Sequence, residues 1–172
     1  MPIIIDTNCF ANVFSRSSSK HADFEPVLNW VLNGKGLIVY GGTQYKKELS
    51  KSNKYQYIFR LLKQTGKVID KCDEEIDAIQ AEIEEKVGNK DFDDIHLLAI
   101  CLVTKCRIIC SEDVRSIKFV CDKEYFPKGF KKPVYYTSEK NKDLLCDKYV
   151  SDNFKPLCKI KNAAAQKIYQ NL

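Results

Sequence analysis

Short apolar segments alternate along this chain with longer segments whose apolar residues recur at helical spacing. Ile3–Ile5 and Leu37–Tyr40 are continuous apolar runs, which is typical of strands buried on both faces of a sheet. Further strands are predicted at Lys67–Asp70, at Arg107–Cys110 and, as an edge strand, at Pro133–Tyr136. Because strands joined through helices run parallel, the alternation predicts a three-layer α/β/α fold, with helices on both faces of a central parallel sheet of four to five strands.

Helices are predicted between these strands, and polar residues such as Asn8 and Thr43 are expected to cap them. The predicted ranges are Asn8–Phe14, Asp23–Leu32, Thr43–Ser50, Asn53–Leu62, Asp73–Val87, Asp91–Val103, Ser111–Phe119 and Ala163–Tyr169. The helix that opens at Asp91 is nearly all apolar after its first turn, so we expect it to be buried.

The composition indicates a folded domain of ordinary size. The chain has 172 residues, of which 44% are hydrophobic and 30% charged. These values exclude a disordered or low-complexity protein, and the length suits one domain. Residues 1–136 hold every predicted strand. The chain then becomes rich in Lys and Asn, and we predict residues 137–172 to be a C-terminal extension that packs on the same domain.

The sequence carries no signal for a membrane or for secretion. No apolar run approaches the ~20 residues of a membrane helix, and the first residues lack the basic region of a signal peptide. The prediction is a cytoplasmic protein with no membrane partner, in which the eight cysteines are reduced. There is no C-x-x-C pair and there are only two histidines. Free thiols packed as small hydrophobic groups are therefore favoured over a structural zinc site.

Acidic residues stand where the predicted strands end. Asp6 directly follows the first strand, Asp113 follows the fourth, and Glu48 lies in the helix after the second. Three more acids open the buried helix: Asp91, Asp93 and Asp94. Each acid alone can be a helix cap or a surface charge. Ligands of open α/β sheets, however, bind beyond the carboxyl ends of the strands, and a set of buried carboxylates there is well matched to Mg²⁺ or Mn²⁺.

Four short segments stand in a distinctive order along residues 1–136. They are Ile5-Asp6-Thr7-Asn8, then Glu48 in an early helix, then Asp94-Ile95-His96-Leu97-Leu98-Ala99-Ile100, and last Ser111-Glu112-Asp113. This order resembles the PIN-domain family of metal-dependent nucleases, which includes the VapC-type toxins. The resemblance implies a parallel sheet in the order 3-2-1-4-5, with the acids gathered at one cleft. It also implies an endoribonuclease that hydrolyses RNA to products with a 5′-phosphate and a 3′-hydroxyl.

The resemblance assigns roles to individual residues. Asp6, Glu48, Asp94 and Asp113 become the catalytic and metal-binding acids for one or two Mg²⁺ or Mn²⁺ ions. Asp6 and Asp94 are expected to bind the metal directly, Asp113 directly or through water, and Glu48 through water. Asp91 is the alternative ligand if Asp94 is not one. The supporting polar residues are Thr7, Asn8 and Ser111. His96 is expected to have a structural role.

An RNA substrate would need positive charge beside these acids. The net charge of +5 is compatible with such a partner without requiring one. The residues predicted to contact the RNA backbone are Lys46, Lys47, Lys51 and Arg115, with Lys54 and Lys118 nearby. Aromatic residues that could stack on unpaired bases are Phe10, Phe14 and Tyr45. The same residues are also explained as solvated lysines and core aromatics.

Three functions remain open from the sequence. The first is the ribonuclease, including the toxin of a toxin–antitoxin pair, with an antitoxin protein and a second copy of the chain as further partners. The second is a PIN-fold module without catalysis that binds RNA or protein, and a missing acid would be its signature. The third is a phosphatase or phosphotransfer domain. The D-x-D-x-T signature of one such family is absent, because Asp6 is followed by Thr7, Asn8 and Cys9.

Overall fold

A five-stranded parallel sheet forms the centre of the molecule. The structure is a computed structural model that describes residues 2–87, 92–146 and 162–172. The strands are β1 (Pro2–Ile5), β2 (Leu37–Gly41), β3 (Val68–Lys71), β4 (Ile108–Cys110) and β5 (Val134–Tyr136). Neighbouring strands run parallel in the order β3-β2-β1-β4-β5, and helices cover both faces. This confirms the predicted α/β fold and the strand order that the resemblance implied.

Most helices lie close to their predicted positions. They are α1 (Phe10–Phe14), α2 (His21–Asn33), α3 (Thr43–Leu49), α4 (Asn53–Gln64), α5 (Asp73–Lys86), α6 (Ile95–Thr104), α7 (Ile117–Val120) and α8 (Asn162–Tyr169). Short 3-10 helices cover Thr7–Cys9, Lys123–Tyr125 and Glu139–Leu144. Helix α6 is buried as predicted, since it packs against α5, β1 and β2. No helix in the described ranges is long and apolar enough to cross a membrane.

Two predicted helix starts are wrong. Helix α6 begins at Ile95 with Asp94 as its N-cap residue, and Asp91 lies outside the described residues. Helix α7 begins at Ile117, so residues 111–113 form a loop. In that loop the Asp113 N–H donates to Ser111 Oγ at 3.1 Å, and the Arg115 N–H donates to Asp113 Oδ1 at 2.9 Å. These side chains replace the helical carbonyls as partners of the backbone.

The predicted capping residues are also wrong at two helices. Asp6, and not Asn8, caps the first turn after β1, because its Oδ1 accepts the Asn8 N–H at 3.2 Å. Gly42 is the N-cap residue of α3, and Thr43 instead donates its N–H to Asp77 Oδ1 at 2.8 Å. At both places an acidic side chain, Asp6 or Asp77, accepts a backbone N–H after the end of β1 or β2, where such groups favour anions.

Gly42 is required by two features of its position. Its φ is +83°, a conformation that favours glycine, and a Cβ there would lie 2.7 Å from Ile76 Cγ2. We expect Gly42→Ala to lower the free energy of unfolding by about 3 kcal/mol, because backbone strain and overpacking add. Chemical denaturation measures this loss.

Gly66→Ala is the matched control for that measurement. Gly66 has a φ of +72°, but nothing lies within 4 Å of a Cβ built there. The control should lose only about 1 kcal/mol from backbone strain. Equal losses in the two variants would contradict the crowding at Gly42.

The described parts of the C-terminal extension contact the domain. The 3-10 helix Glu139–Leu144 lies against α2 and β5, and α8 lies against α4. Ile168 is fully buried, and the Tyr169 hydroxyl donates to Asn29 Oδ1 at 3.0 Å and accepts from Asn33 Nδ2 at 2.8 Å. These contacts join α8 to α2 and α4, and residues 147–161, which precede α8 in the sequence, lie outside the described ranges.

The cysteines of the described segments are free thiols. Four of them are buried in the core: Cys9, Cys101, Cys106 and Cys110. Burial raises the pKa of the Cys106 thiol to about 12, so this group stays uncharged and packs as a small apolar side chain. Cys158 lies outside the described residues.

Candidate acidic site at the carboxyl end of the sheet

The site begins where β1 and β4 end side by side. Ile5 is paired with Cys110, so Asp6 and Ser111 are the next residues of two neighbouring strands. The Asp6 N–H donates to the Cys110 carbonyl at 2.9 Å, and Ser111 Oγ donates to Asp6 Oδ2 at 2.6 Å. The parallel register therefore brings two sequence-predicted residues that are far apart in the chain into direct contact.

Asp6 is a buried carboxyl group. Only 2% of its surface is exposed, and this burial raises its pKa above the usual range for aspartate. Hydrogen bonds from Ser111 and from the Asn8 N–H oppose the rise, as does the nearby His96, whereas Glu48 adds to it. Asn8 contacts Asp6 through its backbone N–H, whereas the Thr7 side chain contacts Glu48.

Glu48 reaches this edge of the sheet from α3. Thr7 Oγ1 donates to Glu48 Oε2 at 2.6 Å, and Gln44 Nε2 donates to Glu48 Oε1 at 2.6 Å. One turn of helix separates Gln44 from Glu48, so both side chains lie on the same face of α3. Glu48 is thus held between its own helix and the 3-10 turn that follows β1.

Two neighbours fix the surroundings of Glu48. Tyr45 is fully buried and donates its hydroxyl to the Ile5 carbonyl, which ties α3 to the last residue of β1. The Nε2 atom of the buried His96 lies 3.8 Å from Glu48 Oε2. Burial lowers the pKa of His96 despite the nearby charges of Glu48 and Asp6. His96 is therefore held as a neutral ring beside the acids, and its predicted structural role stays a prediction.

The carboxyl group of Asp94 has a strongly raised pKa. Burial raises its pKa to about 7, and the negative charges of Asp6, Asp93 and Asp113 contribute to the rise, whereas a hydrogen bond with the Ser116 side chain opposes it. The Asp94 Oδ2 atom is buried and has no hydrogen-bond partner within residues 2–87, 92–146 and 162–172. As the N-cap residue of α6 it makes no capping hydrogen bond with its side chain. This half-buried carboxyl group thus lies beside other acids with one buried oxygen unsatisfied.

The negative charge of Asp113 is paired with Arg115 of the same loop. Arg115 donates from Nε to Asp113 Oδ1 at 3.0 Å and from Nη2 to Oδ2 at 2.7 Å. This guanidinium holds the pKa of Asp113 below its usual range. Fork-shaped pairs of this kind are the strong form of an Arg–carboxylate contact. Asp113 therefore has a cation on both oxygens, in contrast to Asp94.

The structure brings the four predicted acids to one edge of the sheet. Ser111 Oγ donates to the Asp6 carboxylate and accepts the backbone N–H of Asp113. The negative charges of Asp6 and Asp113 raise the pKa of Asp94, and that of Glu48 raises the pKa of Asp6. Within the described residues, however, no group of three or more His, Cys, Asp or Glu side chains is arranged to hold a metal ion. The carboxylate oxygens of these acids are of the kind that hard divalent cations prefer, and Asp94 Oδ2 is a buried oxygen without a hydrogen-bond partner in the described part of the chain.

The predicted basic residues differ in their surroundings. Lys46 is engaged elsewhere, since its Nζ lies 2.8 Å from Asp70 Oδ1 and 2.8 Å from Asp73 Oδ1. Lys47, Lys51 and Arg115 are exposed, and 82% of the Arg115 side chain is accessible. Contact of these residues with RNA stays a prediction, and the ion pairs of Lys46 make it the least available of the four.

The predicted stacking of bases on aromatic residues is wrong. Phe10, Phe14 and Tyr45 are at most 2% exposed and form an aromatic cluster in the core. The Phe10 ring also lies 5.2 Å from the ring of Phe59 in α4. These rings pack against one another, and none of them has a face accessible to a base.

Sequence reasoning missed two partners of the acids. Gln44 could have been found, because it precedes Glu48 by one helical turn. The sequence predicts Arg115 as an RNA contact, whereas its fork on Asp113 depends on a loop that the sequence predicts as a helix. Comparison with family models, with curated proteins and with solved structures finds no match to this chain.

Proposed function

We propose that this chain is a metal-dependent endoribonuclease of the PIN type. The observation that carries the proposal is Asp94, a half-buried carboxyl group whose buried Oδ2 has no hydrogen-bond partner among the described residues, beside Asp6 and Asp113 at the carboxyl end of the sheet. Carboxylates that are buried together repel one another, and a divalent cation would offset this repulsion and coordinate the oxygen that lacks a partner. The motif order in the sequence and the strand order 3-2-1-4-5 agree with this family.

Each acid has a defined part in the proposal. Asp6 and Asp94 bind one or two Mg²⁺ or Mn²⁺ ions directly, Asp113 binds directly or through water, and Glu48 binds through water. A bound divalent ion lowers the pKa of a coordinated water and offsets the charge of a phosphodiester. Ser111 orients Asp6 through the hydrogen bond to Oδ2, which leaves Oδ1 toward the Asn8 N–H.

The remaining polar residues position Glu48 and the substrate. Thr7 and Gln44 each hold one oxygen of Glu48, so that carboxylate is fixed without a direct metal bond. Lys47 and Lys51 are exposed and are proposed to contact RNA phosphates without reading sequence. A cytoplasmic location agrees with the free thiols of the described cysteines. An antitoxin and a homodimer stay predictions of the resemblance.

A PIN-fold module that binds RNA or protein without catalysis is the second candidate. The fork of Arg115 on Asp113 favours it, because this pair already satisfies one of the four acids with a cation from the chain itself. Such a module would keep the fold and the basic surface, yet it would not cut its ligand. The two functions therefore differ in metal dependence and in turnover.

Cleavage of a labelled single-stranded RNA pool separates these candidates. The wild-type protein is incubated with Mg²⁺, with Mn²⁺ and with EDTA, and the product ends are tested for a 5′-phosphate. We expect cutting with either metal, none with EDTA, and products with a 5′-phosphate and a 3′-hydroxyl. Retention of intact RNA on the protein under every condition would instead favour the binding module, and cutting that persists in EDTA would contradict the proposed mechanism.

A further inference from the structure

Both acids of the loop after β4 are already paired with a basic side chain. Lys20 forms an ion pair with Glu112, and Arg115 forms its fork with Asp113. The second pair contains a proposed metal ligand, Asp113, whereas Glu112 of the first pair is not one. Asp93 and Asp94 raise the pKa of Arg115 further, so its guanidinium lies within the field of the acidic set. Arg115 is therefore the counter-cation that this chain supplies to its own acidic site.

We propose that Arg115 is a positioning residue that exchanges Asp113 for a phosphodiester when metal and substrate bind. Resting on the proposed function, this inference adds a coupling between the two ligands of the site. A metal ion on Asp113 competes with the fork for the same two oxygens, since Arg115 contacts both of them. The guanidinium released from Asp113 presents two parallel N–H groups, a geometry that also fits the paired oxygens of a phosphate.

The exposure of Arg115 makes this exchange feasible. Its side chain is 82% accessible, whereas that of Asp113 is 18% accessible. The Asp113 carboxylate accepts the Arg115 backbone N–H, and the Asp113 backbone N–H donates to Ser111 Oγ, so the loop keeps Asp113 in place if the exposed guanidinium leaves toward solvent. A phosphate that captures Arg115 frees Asp113 for the metal, and a metal on Asp113 frees Arg115 for the phosphate. By linkage, each ligand must then tighten the other by the same factor.

Titration of the full-length protein with Mn²⁺ alone tests the first half of this exchange. Arg115→Gln removes the competitor for Asp113, so we expect it to bind Mn²⁺ about fivefold more tightly than wild type, the size of a well-aligned surface ion pair. Lys123→Gln is the control, because it removes the same charge from an exposed residue. If Arg115→Gln gains no more than Lys123→Gln, Arg115 does not compete with the metal and the inference is overturned.

A single-stranded DNA oligonucleotide tests the second half, because it carries the same phosphodiester charge as RNA. We expect it to tighten Mn²⁺ binding more in wild type than in Arg115→Gln. A methylphosphonate oligonucleotide of the same sequence, which lacks the charge, should leave the two proteins unchanged. Equal tightening in both proteins would overturn the exchange while leaving the proposed function intact. If wild type and both variants all fail to bind Mn²⁺, the proposed function fails together with the inference.

Discussion

RNA cleavage is expected to fall by at least about a hundredfold in Asp6→Asn and in Asp94→Asn, because each change removes a proposed direct metal ligand, and loss of even an outer partner of a metal site typically costs about 10- to 100-fold. Asparagine keeps the shape of both side chains, and the Ser111 hydroxyl can still donate to the remaining Oδ atom at position 6. Initial rates on the labelled RNA pool, at saturating Mg²⁺, measure the loss.

Asp143→Asn is the control for these two variants. Asp143 is an exposed residue of the 3-10 helix Glu139–Leu144, and the same chemical change there should leave the rate within about twofold of wild type. A variant at Asp6 or Asp94 that keeps wild-type rates would show that its carboxylate does not hold the metal. Circular dichroism of each variant establishes that the fold is kept.

Asp94→Asn is also expected to stabilise the metal-free protein at alkaline pH. A pKa of about 7 in place of the usual ~3.9 corresponds to at most about 4 kcal/mol of unfavourable charge in the folded state. Because Asp94 is partly exposed, we expect the variant to gain about 2 kcal/mol in the free energy of unfolding. An amide at this position cannot ionise, so the repulsion from Asp6, Asp93 and Asp113 disappears.

The stability of the wild-type protein depends on pH through the Asp94 proton. The folded protein holds the Asp94 proton up to about pH 7, whereas the unfolded chain loses it near pH 4, so wild-type stability falls as the pH rises between these values. The gain of Asp94→Asn should therefore be near zero at about pH 4 and full above about pH 8. Chemical denaturation in EDTA across this range measures it. A gain that does not change with pH would contradict the raised pKa of Asp94.

These two predictions together describe a functional site that lowers stability. The acids that are expected to support cleavage are the ones that repel each other without a cation. Replacing Asp94 should therefore raise the free energy of unfolding and lower the rate of RNA cleavage. Trade-offs of this kind are common where activity requires buried charge. An acidic cluster with a purely structural part would lose stability and activity together.

The sheet and its acidic edge were predictable from the sequence because they depend on local patterns. The run Ile3–Ile5 could only be a buried strand, and the residue after a central parallel strand stands at the ligand-binding edge, so Asp6 followed directly. The fifth strand was found in the same way, although Val134 is only half-buried. The order of the strands came from the motif resemblance, since hydropathy alone does not set it.

The details around Asp94 and Asp113 were not predictable in the same way. The first turn of the buried helix looked helical because acids favour helix starts, yet α6 begins only at Ile95. Ser111 and Asp113 looked like a helix start as well, and their side chains instead bind neighbouring backbone N–H groups. The fork of Arg115 depends on this loop, because residues two apart do not face each other on a helix.

The aromatic residues illustrate a different limit. Phe10, Phe14 and Tyr45 fit both a core and a base-stacking surface by composition and spacing. Only tertiary packing decides between them, such as the contact of Phe10 with Phe59 in α4, and it buries all three side chains. Long-range contacts of this kind are absent from any local window of sequence.

We propose that Asp6, Glu48, Asp94 and Asp113 form a divalent cation site. Calorimetric titration of wild type and Asp94→Asn with Mn²⁺, at about pH 7 and in two buffers of different ionisation enthalpy, tests it most directly. Because Asp94 is about half protonated at this pH, we predict specific binding to wild type with a buffer-dependent heat from proton release, and no such binding to Asp94→Asn. Equal binding by the two proteins, or none by wild type, would contradict the claim.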